Sequence, residues 1–170
     1  MQLIYPRFVD FEASSLRAES YPIEVAWNDP GGTIQAHLIN PLPVPSWTDW
    51  SEDAQAVHGI TRHELSRNGR DPAWVCECLD LVGPGQTLFS DAPEFDGAWM
   101  RELYRGSRRP PPDLRIASIA ELAALGGLDH VMYARFRSEA RKRAGGEHRA
   151  ALDVTYLMEL YRLAAEAKGI

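Results

Sequence analysis

The sequence predicts an α/β fold with a mixed five-stranded sheet flanked by helices. Strand-like segments at residues 3–14, 20–29 and 31–41 follow one another closely and are separated by turn signals such as Asn-Asp-Pro-Gly-Gly. This order is typical of an antiparallel meander. Two later strand-like segments, QTLFSD at 86–91 and LRIASI at 114–119, alternate with helical patterns, which favours helices packed on the faces of the sheet.

The helical patterns have clear ends, with Asn or Asp near several starts and Gly at several ends. They predict helices at residues 48–59, 61–69, 71–83, 93–106, 127–143 and 149–167. Before the last strand, RRPPPD at residues 108–113 predicts an extended surface loop. Too few residues follow this loop to fold alone, so we assign residues 1–170 to a single domain.

Composition limits the class of protein. A chain of 170 residues with 45% hydrophobic content is sufficient for one substantial core. No apolar run approaches the roughly 18–20 residues that span a bilayer, and the opening MQLIYPRFVDFE carries charge where a signal peptide is apolar. We therefore expect a cytoplasmic protein without membrane contact. Cys76 and Cys78 are two residues apart in a predicted helix and favour free thiols.

The charge balance is acidic overall and basic in one place. A net charge of −6 argues against a protein that coats nucleic acid non-specifically, because phosphate neutralisation needs a broad basic surface. Six of the 18 Lys and Arg residues nevertheless lie between residues 135 and 149. A solvated helix face and a phosphate contact explain this basic segment equally well.

The first strand places two carboxylates on one face. Because side chains alternate along a strand, Phe8, Asp10 and Glu12 share a face, and Val9 and Phe11 share the other. In a strand with apolar residues on both faces, the two acids are candidates for burial. Buried carboxylates without partners lose more in desolvation than they recover, and a divalent cation removes that penalty.

Two helices also place an aspartate on their apolar stripe. Asp96 and Asp153 are each followed at helical spacing by apolar residues. Either aspartate alone is better explained as a residue near a helix N-terminus, where the helix dipole favours negative charge. Together with Asp10 and Glu12 they make four oxygen donors, a set that suits Mg²⁺ or Mn²⁺. Phosphodiester hydrolysis uses two such ions about 4 Å apart.

His148 is a candidate general base beside these acids. Gly145 and Gly146 precede it and predict a loop, and Asp153 follows five residues later. An imidazole titrates near neutrality, so it can accept a proton from an attacking water. Taken alone, an exposed loop position is the simpler explanation of this histidine.

These motifs together resemble the exonuclease motifs of the DEDDh branch of the DnaQ-like superfamily. The three segments are FVDFEAS, SDAPEFDGAWM and HRAALD, and YPIEVAW and VHGIT also look like family segments. Their order and spacing match over most of the chain. The H-x-A-x-x-D motif is fairly specific, F-D before an aromatic helix is moderately specific, and D-x-E is weak.

The resemblance implies a ribonuclease H-like fold and a metal-dependent 3′-to-5′ exonuclease. Such an enzyme releases nucleoside 5′-monophosphates. We expect it to act on the 3′ ends of single-stranded nucleic acid, because a terminal phosphodiester must reach the metals and aromatic residues can stack on unpaired bases. It would use two Mg²⁺ or Mn²⁺ ions, with His148 as the general base. The metal ligands would be Asp10, Glu12, Asp96 and Asp153, and the contacts to the terminal nucleotide would be Phe11, Ala13, His58 and Ile60. For His58, an exposed position at a helix end is an equally good explanation.

Two departures from the family pattern affect the expected substrate contacts. After the first motif the chain reads Ala-Ser-Ser-Leu at residues 13–16, where many relatives have Thr with a nearby Gly. An Asn common before the second-motif aspartate is replaced within residues 90–93. The acidic charge balance and the altered first motif leave open a module that binds nucleic-acid ends without cutting. A hydrolase of small oligonucleotides also stays open, because four carboxylates do not by themselves select a polymer over a short substrate. DNA and RNA are both candidate polymers, and a homodimer is compatible with the sequence.

Overall fold

The computed structural model describes residues 3–169, and five strands and six α-helices lie within that range. The strands are β1 (Arg7–Ala13), β2 (Pro22–Asn28), β3 (Ile34–Leu38), β4 (Gln86–Ser90) and β5 (Leu114–Ser118). The helices are α1 (Glu52–His58), α2 (Arg62–Asn68), α3 (Pro72–Asp80), α4 (Pro93–Gly106), α5 (His130–Ala144) and α6 (Ala150–Lys168), and a 3-10 turn spans Ile119–Glu121. None of the described helices is long and apolar enough to cross a membrane.

The strands form one mixed sheet in the order β3-β2-β1-β4-β5. β1 pairs antiparallel with β2, and β2 pairs antiparallel with β3, so the first three strands form the predicted meander. β4 pairs parallel with both β1 and β5. The prediction of a mixed five-stranded sheet flanked by helices is confirmed. Because β1 lies in the middle of the sheet, its side chains are surrounded by neighbouring strands.

Two apolar layers cover the two faces of the sheet. Val9 and Phe11 pack in the layer that contains α3 and α4, and Phe8 packs in the opposite layer, which contains α6. The alternation predicted for the first strand is therefore confirmed. Asp10 and Glu12 lie on the side of α6, where they approach its first turn.

Two helices begin later in the chain than predicted, because a side chain caps each of them at its N-terminus. α1 begins at Glu52 rather than at residue 48, because the Ser51 side chain caps it by accepting a hydrogen bond from a backbone amide. α5 begins at His130 rather than at residue 127, because Asp129 caps it in the same way. Gly127 has a φ of +76°, which a helix does not accommodate. The strands are also shorter than the segments that predicted them.

Candidate active site

Three carboxylates meet on the face of the sheet that α6 covers. One oxygen each from Asp10, Glu12 and Asp153 lies within 4.8 Å of the other two. Asp10 and Glu12 belong to β1, which pairs with β2 on one side and with β4 on the other. Asp153 belongs to the first turn of α6. The central strand and the last helix therefore bring distant parts of the sequence into one acid cluster.

Asp96 lies beside this cluster, and the protein engages both of its oxygens. The residue is 1% exposed. Its Oδ1 accepts a hydrogen bond from the Phe11 amide at 3.1 Å, and its Oδ2 accepts one from the Ser90 hydroxyl. These bonds attach the first turn of α4 to β1 and to the end of β4. The negative charge of Asp96 also acts on Asp10, whose pKa it raises.

Desolvation and repulsion between charges raise the pKa values of Asp10, Glu12 and Asp96. Desolvation raises the pKa of Asp10 well above its ordinary value, and the charges of Asp96, Asp153 and Glu12 raise it further. Burial, followed by the charge of Asp153, raises the pKa of Glu12 to about 8. Burial also raises the pKa of Asp96, although the hydrogen bond from Ser90 opposes the rise. Without a cation, the cluster therefore retains protons at neutral pH.

The acid cluster has the chemistry of a site for hard divalent cations. Carboxylate oxygens are the ligands that Mg²⁺ and Mn²⁺ prefer. The oxygens of the three clustered acids are close enough together to share an ion. A cation would replace the retained protons and remove the repulsion between the carboxylates. The donor set and its electrostatics therefore fit the group that the sequence motifs imply.

Arg141 of α5 occupies one side of the cluster. Its Nη1 donates a hydrogen bond to Asp153 Oδ1, and its Nε lies 3.8 Å from Glu147 Oε2. Its Cζ lies 3.6 Å from the centroid of the Tyr156 ring, within the range of a cation–π interaction. A guanidinium group therefore neutralises part of the charge of Asp153.

His148 lies in the loop between α5 and α6, where Gly145 and Gly146 predict it. Its φ of +59° is in the left-handed region, which is uncommon for a residue other than glycine. The side chain is 51% exposed, and its Nε2 lies 3.5 Å from Glu147 Oε1. His148 lines the same cavity as Glu12, so the imidazole and the acid cluster border one space.

A cavity of about 530 Å³ opens beside the acid cluster. Ala13 and His58 contribute to its wall together with Glu12, His148 and Trp99. A second hollow of about 470 Å³ adjoins it and shares Trp99. Small-molecule sites have volumes of roughly 300–1,000 Å³. The size of the first cavity therefore suits a ligand as large as one nucleotide.

The structure separates the four expected substrate contacts into two pairs. Ala13 and His58 line the cavity. Phe11 and Ile60 are buried in the core, at 4% and 0% exposure, and are not part of the described cavity wall. Phe11 points away because of the alternation along β1. The Ile60 amide donates a hydrogen bond to His58 Nδ1 at 3.0 Å, so Ile60 shapes the wall through its backbone.

His58 is buried rather than exposed at its helix end. It is 5% exposed, and its ring packs edge-on against Trp50 with the ring centroids 6.2 Å apart. Its Nε2 is buried and has no hydrogen-bond partner among residues 3–169. Burial lowers the pKa of His58, so the ring is neutral near pH 7. The cavity wall therefore contains a neutral imidazole with one unsatisfied nitrogen.

Comparison with known proteins shows a similarity of structure without a detectable similarity of sequence. No protein-family model matches the chain, and a search among curated proteins finds no relative. A complex of E. coli exonuclease I with single-stranded DNA and bound zinc has a TM-score of 0.70 at 16% identity, over 96% of this chain and 40% of that chain. The fold is ribonuclease H-like. The predicted ribonuclease H-like fold is therefore confirmed.

Other structures of exonuclease I have the same ribonuclease H-like architecture. The E. coli enzyme in complex with a dT13 oligonucleotide has a TM-score of 0.66 at 15% identity, over 95% of this chain and 41% of that chain. Exonuclease I from Methylocaldum szegediense has a TM-score of 0.65 at 18% identity, over 96% of this chain and 40% of that chain. The present chain therefore spans about two fifths of the length of these exonucleases.

Glu24 attaches the start of α6 to the ribonuclease H-like sheet, a role that the sequence patterns did not predict. It is 4% exposed and lies opposite Glu12 in the β1–β2 ladder. Its carboxylate accepts hydrogen bonds from Nε and Nη2 of Arg149 at 3.1 and 2.8 Å, and from the Ala150 amide at 3.0 Å. Arg149 is the N-cap residue and makes no side-chain cap bond, so Glu24 supplies the capping carboxylate. The available signal was a charged residue inside the apolar run PIEVAW.

Proposed function

We propose that this chain is a metal-dependent 3′-to-5′ exonuclease of the DEDDh type. It hydrolyses the terminal phosphodiester bond of single-stranded DNA or RNA and releases nucleoside 5′-monophosphates. The observation that carries this proposal is the meeting of Asp10, Glu12 and Asp153 within 4.8 Å, beside a cavity that His148 also lines. The order of the sequence motifs supports it. The structural similarity to exonuclease I, which is seen in complex with single-stranded DNA, supports it as well.

Four carboxylates would hold two Mg²⁺ or Mn²⁺ ions in this enzyme, namely Asp10, Glu12, Asp96 and Asp153. When bound, such ions favour ionisation of the attacking water and stabilise the charge on the leaving oxygen. The protein contributes buried carboxyl groups, and a bound cation would relieve the desolvation and the repulsion that raise their pKa values. The hydrogen bond from the Phe11 amide orients Asp96 relative to β1.

His148 is the general base in this proposal, and it accepts a proton from the attacking water. The imidazole is half-exposed on a loop, so it can turn toward the acids without disturbing a helix. The next residue, Arg149, is anchored by Glu24. This anchor keeps the loop close to the acid cluster while the His148 side chain remains able to move.

The cavity beside the acids holds the terminal nucleotide. Ala13 and His58 contact it directly, whereas the Ile60 amide positions His58 and the Phe11 amide positions Asp96. The ring of His58 borders the cavity, whereas its Nε2 is buried and has no hydrogen-bond partner among the described residues.

A nucleic-acid end-binding module without hydrolysis is the second candidate function. One observation favours it, the ion pair of Arg141 with Asp153, because this pair already neutralises an acid that the exonuclease needs as a metal ligand. In such a module the cavity would bind a terminal nucleotide without a cation. A hydrolase of small oligonucleotides would use the same acids and would differ in its preference for substrate length.

Release of labelled nucleoside monophosphate from 3′-labelled single-stranded DNA and RNA tests the proposal. We expect wild-type protein to release it with Mg²⁺ or Mn²⁺ and not with EDTA. Asp10→Asn should abolish release, and Asp113→Asn, which alters an exposed loop carboxylate, should retain it. Full activity of Asp10→Asn would overturn the exonuclease. Binding of 3′ ends in EDTA without any release would favour the end-binding module, and faster cleavage of dinucleotides than of long strands would indicate the small-oligonucleotide hydrolase.

A further inference from the structure

Arg137 and Arg141 lie one helical turn apart on the face of α5 that packs against α6. The Nε of Arg137 donates a hydrogen bond to the Tyr156 hydroxyl at 3.0 Å. The Cζ of Arg141 lies 3.6 Å from the centroid of the same ring. Tyr156 is 2% exposed. A buried aromatic residue therefore holds two guanidinium groups side by side, next to Asp153.

The two guanidinium groups differ in their partners. Arg141 forms ion pairs with Asp153 and Glu147. Within residues 3–169, no carboxylate lies within 4.0 Å of the Arg137 guanidinium. Both groups nevertheless lie close enough to Asp91, at the end of β4, to oppose the rise in its pKa that desolvation and Asp153 cause. A guanidinium group without a carboxylate partner among the described residues therefore lies near the acid cluster.

The position of this pair suits a nucleic-acid strand that leaves the cavity past the acids. In the proposed function, the cavity lined by Glu12, His58 and His148 holds the 3′-terminal nucleotide, and the scissile phosphate lies at the acids. Arg137 and Arg141 are not part of the described wall of that cavity. Arg141 borders the acid cluster through its ion pair with Asp153 instead, and Arg137 lies beside it on Tyr156. A strand that enters the cavity must continue past the acids, and α5 offers it a basic surface there.

Cation binding would change the partner of Arg141. An oxygen of Asp153 that takes up a divalent cation attracts the guanidinium less, and the cation itself repels it. Arg141 then needs another anion within reach. A phosphate group is the anion that the substrate supplies, and guanidinium groups match phosphate oxygens with two parallel hydrogen bonds.

We propose that Arg137 and Arg141 form a phosphate clamp, which binds backbone phosphates of single-stranded nucleic acid on the 5′ side of the scissile bond. Asp153 is the resting partner of Arg141, and Tyr156 keeps the two guanidinium groups together. This inference rests on the proposed function of the acid cluster, but it requires only strand binding and not hydrolysis. Arg135 and Lys142, which border a different hollow of α5, lie outside the clamp.

The salt dependence of strand binding tests the clamp. The probe is a short fluorescent oligothymidylate with phosphorothioate linkages at its 3′ end, which keep the charge and slow hydrolysis. It is titrated with Mn²⁺-loaded protein at several salt concentrations. Each phosphate contact to a single strand contributes about −0.7 to the slope of log K against log salt. We expect Arg137→Ala with Arg141→Ala to flatten this slope by about 1.4 and to weaken binding at least about tenfold.

The matched control is the double variant Arg135→Ala with Lys142→Ala, which removes the same charge from another face of α5. It should keep the wild-type slope. Equal flattening in both double variants would show a general effect of net charge and would overturn the clamp. An unchanged slope in the Arg137 and Arg141 variant would overturn it too, as would a failure of the wild type to bind the probe.

Two further measurements keep this test independent of folding and of turnover. Glutamine at both positions, Arg137→Gln with Arg141→Gln, preserves polar side chains next to Tyr156 and repeats the test if the alanine variant unfolds. Monophosphate release by the wild type is measured in parallel. Salt-dependent binding through the clamp without any release of monophosphate would reject the exonuclease and support the clamp. Release of monophosphate with equal slopes in all variants would support the exonuclease and reject the clamp.

Discussion

The ion pair between Glu24 and Arg149 joins the second strand of the sheet to the start of α6. The Nη2 of Arg149 lies 2.8 Å from Glu24 Oε1, and the Ala150 amide donates a further hydrogen bond to the same carboxylate. Arg149 and Ala150, which make these contacts, lie between His148 and Asp153 in the sequence. Glu24 is therefore placed to fix the position of the proposed base and of a proposed metal ligand without lining the substrate cavity.

Replacing Glu24 tests this anchoring role. We expect Glu24→Gln to lower the free energy of unfolding by about 1–3 kcal/mol, because the neutral amide leaves Arg149 without its charged partner. The affinity for Mn²⁺ should also fall, since the start of α6 loses its anchor. Chemical denaturation and titration calorimetry measure the two effects.

The control for Glu24 is Glu139→Gln. Glu139 forms an ion pair with Arg143 in which both side chains are about 40% exposed, so its loss should lower the free energy of unfolding much less than the loss of Glu24 does. This variant should bind Mn²⁺ as the wild type does. Equal stability and equal Mn²⁺ affinity of Glu24→Gln and the wild type would contradict the anchoring role.

Removing the imidazole of His148 tests its role as the general base. We expect His148→Ala to lower the rate of monophosphate release by about 10²–10⁴-fold, the usual contribution of such a group. The affinity for Mn²⁺ should be unchanged, because His148 is not among the clustered carboxylates. His63→Ala, at an exposed position of α2, is the control. A raised KM with an unchanged kcat would instead assign His148 to substrate binding.

Local sequence patterns predict the parts of this site that depend on local geometry. Asp10 and Glu12 share a face because alternation along a strand is set by the backbone of that strand alone. The helical stripe likewise places Asp96 on the buried side of α4, since its alignment needs only the helical period. These patterns give the face of each carboxylate and leave its partners undetermined.

The partners that local patterns do not predict come from distant segments of the chain. Glu24 and Arg149 are 125 residues apart, and no periodicity links them. The pairing of Arg141 with Asp153 depends on how α5 packs on α6, which a charge count over residues 135–149 does not specify. The burial of His58 depends on its packing against Trp50. Such contacts follow from the tertiary structure and not from any single segment.

The metal-free protein should become less stable as the pH rises from about 4.5 to about 8. The pKa of Glu12 is raised from 4.5 to about 8 in the folded protein. Between these values the folded protein keeps a proton that the unfolded chain loses, so rising pH favours unfolding. The raised pKa of Asp10 acts in the same direction. We expect the free energy of unfolding to fall by about 2–4 kcal/mol over this range. Each tenfold difference in proton affinity between the folded and unfolded states corresponds to about 1.4 kcal/mol, and solvent screening of the partly exposed carboxyl reduces the total effect.

Thermal unfolding in EDTA across this pH range measures the effect. Glu12→Gln should flatten the pH dependence, because it removes a titrating group whose pKa differs between the folded and unfolded states. Mn²⁺ should raise the melting temperature most at the alkaline end, where protons no longer offset the repulsion between the carboxylates. A wild-type melting temperature that is independent of pH in EDTA would contradict the raised pKa values.

Arg141 and a divalent cation compete for Asp153. Loss of Arg141 should therefore change the affinity for Mn²⁺ and the affinity for a nucleic-acid strand in opposite directions. Arg141→Gln should tighten Mn²⁺ binding by about tenfold, equivalent to roughly 1.4 kcal/mol, because the carboxylate no longer has to release a guanidinium. The same variant should bind the oligothymidylate probe more weakly, because the clamp loses one contact. Arg135→Gln removes the same charge from another face of α5 and should change neither affinity. Weaker binding of both Mn²⁺ and probe by Arg141→Gln would instead show that Arg141 only maintains the packing of α5 on α6.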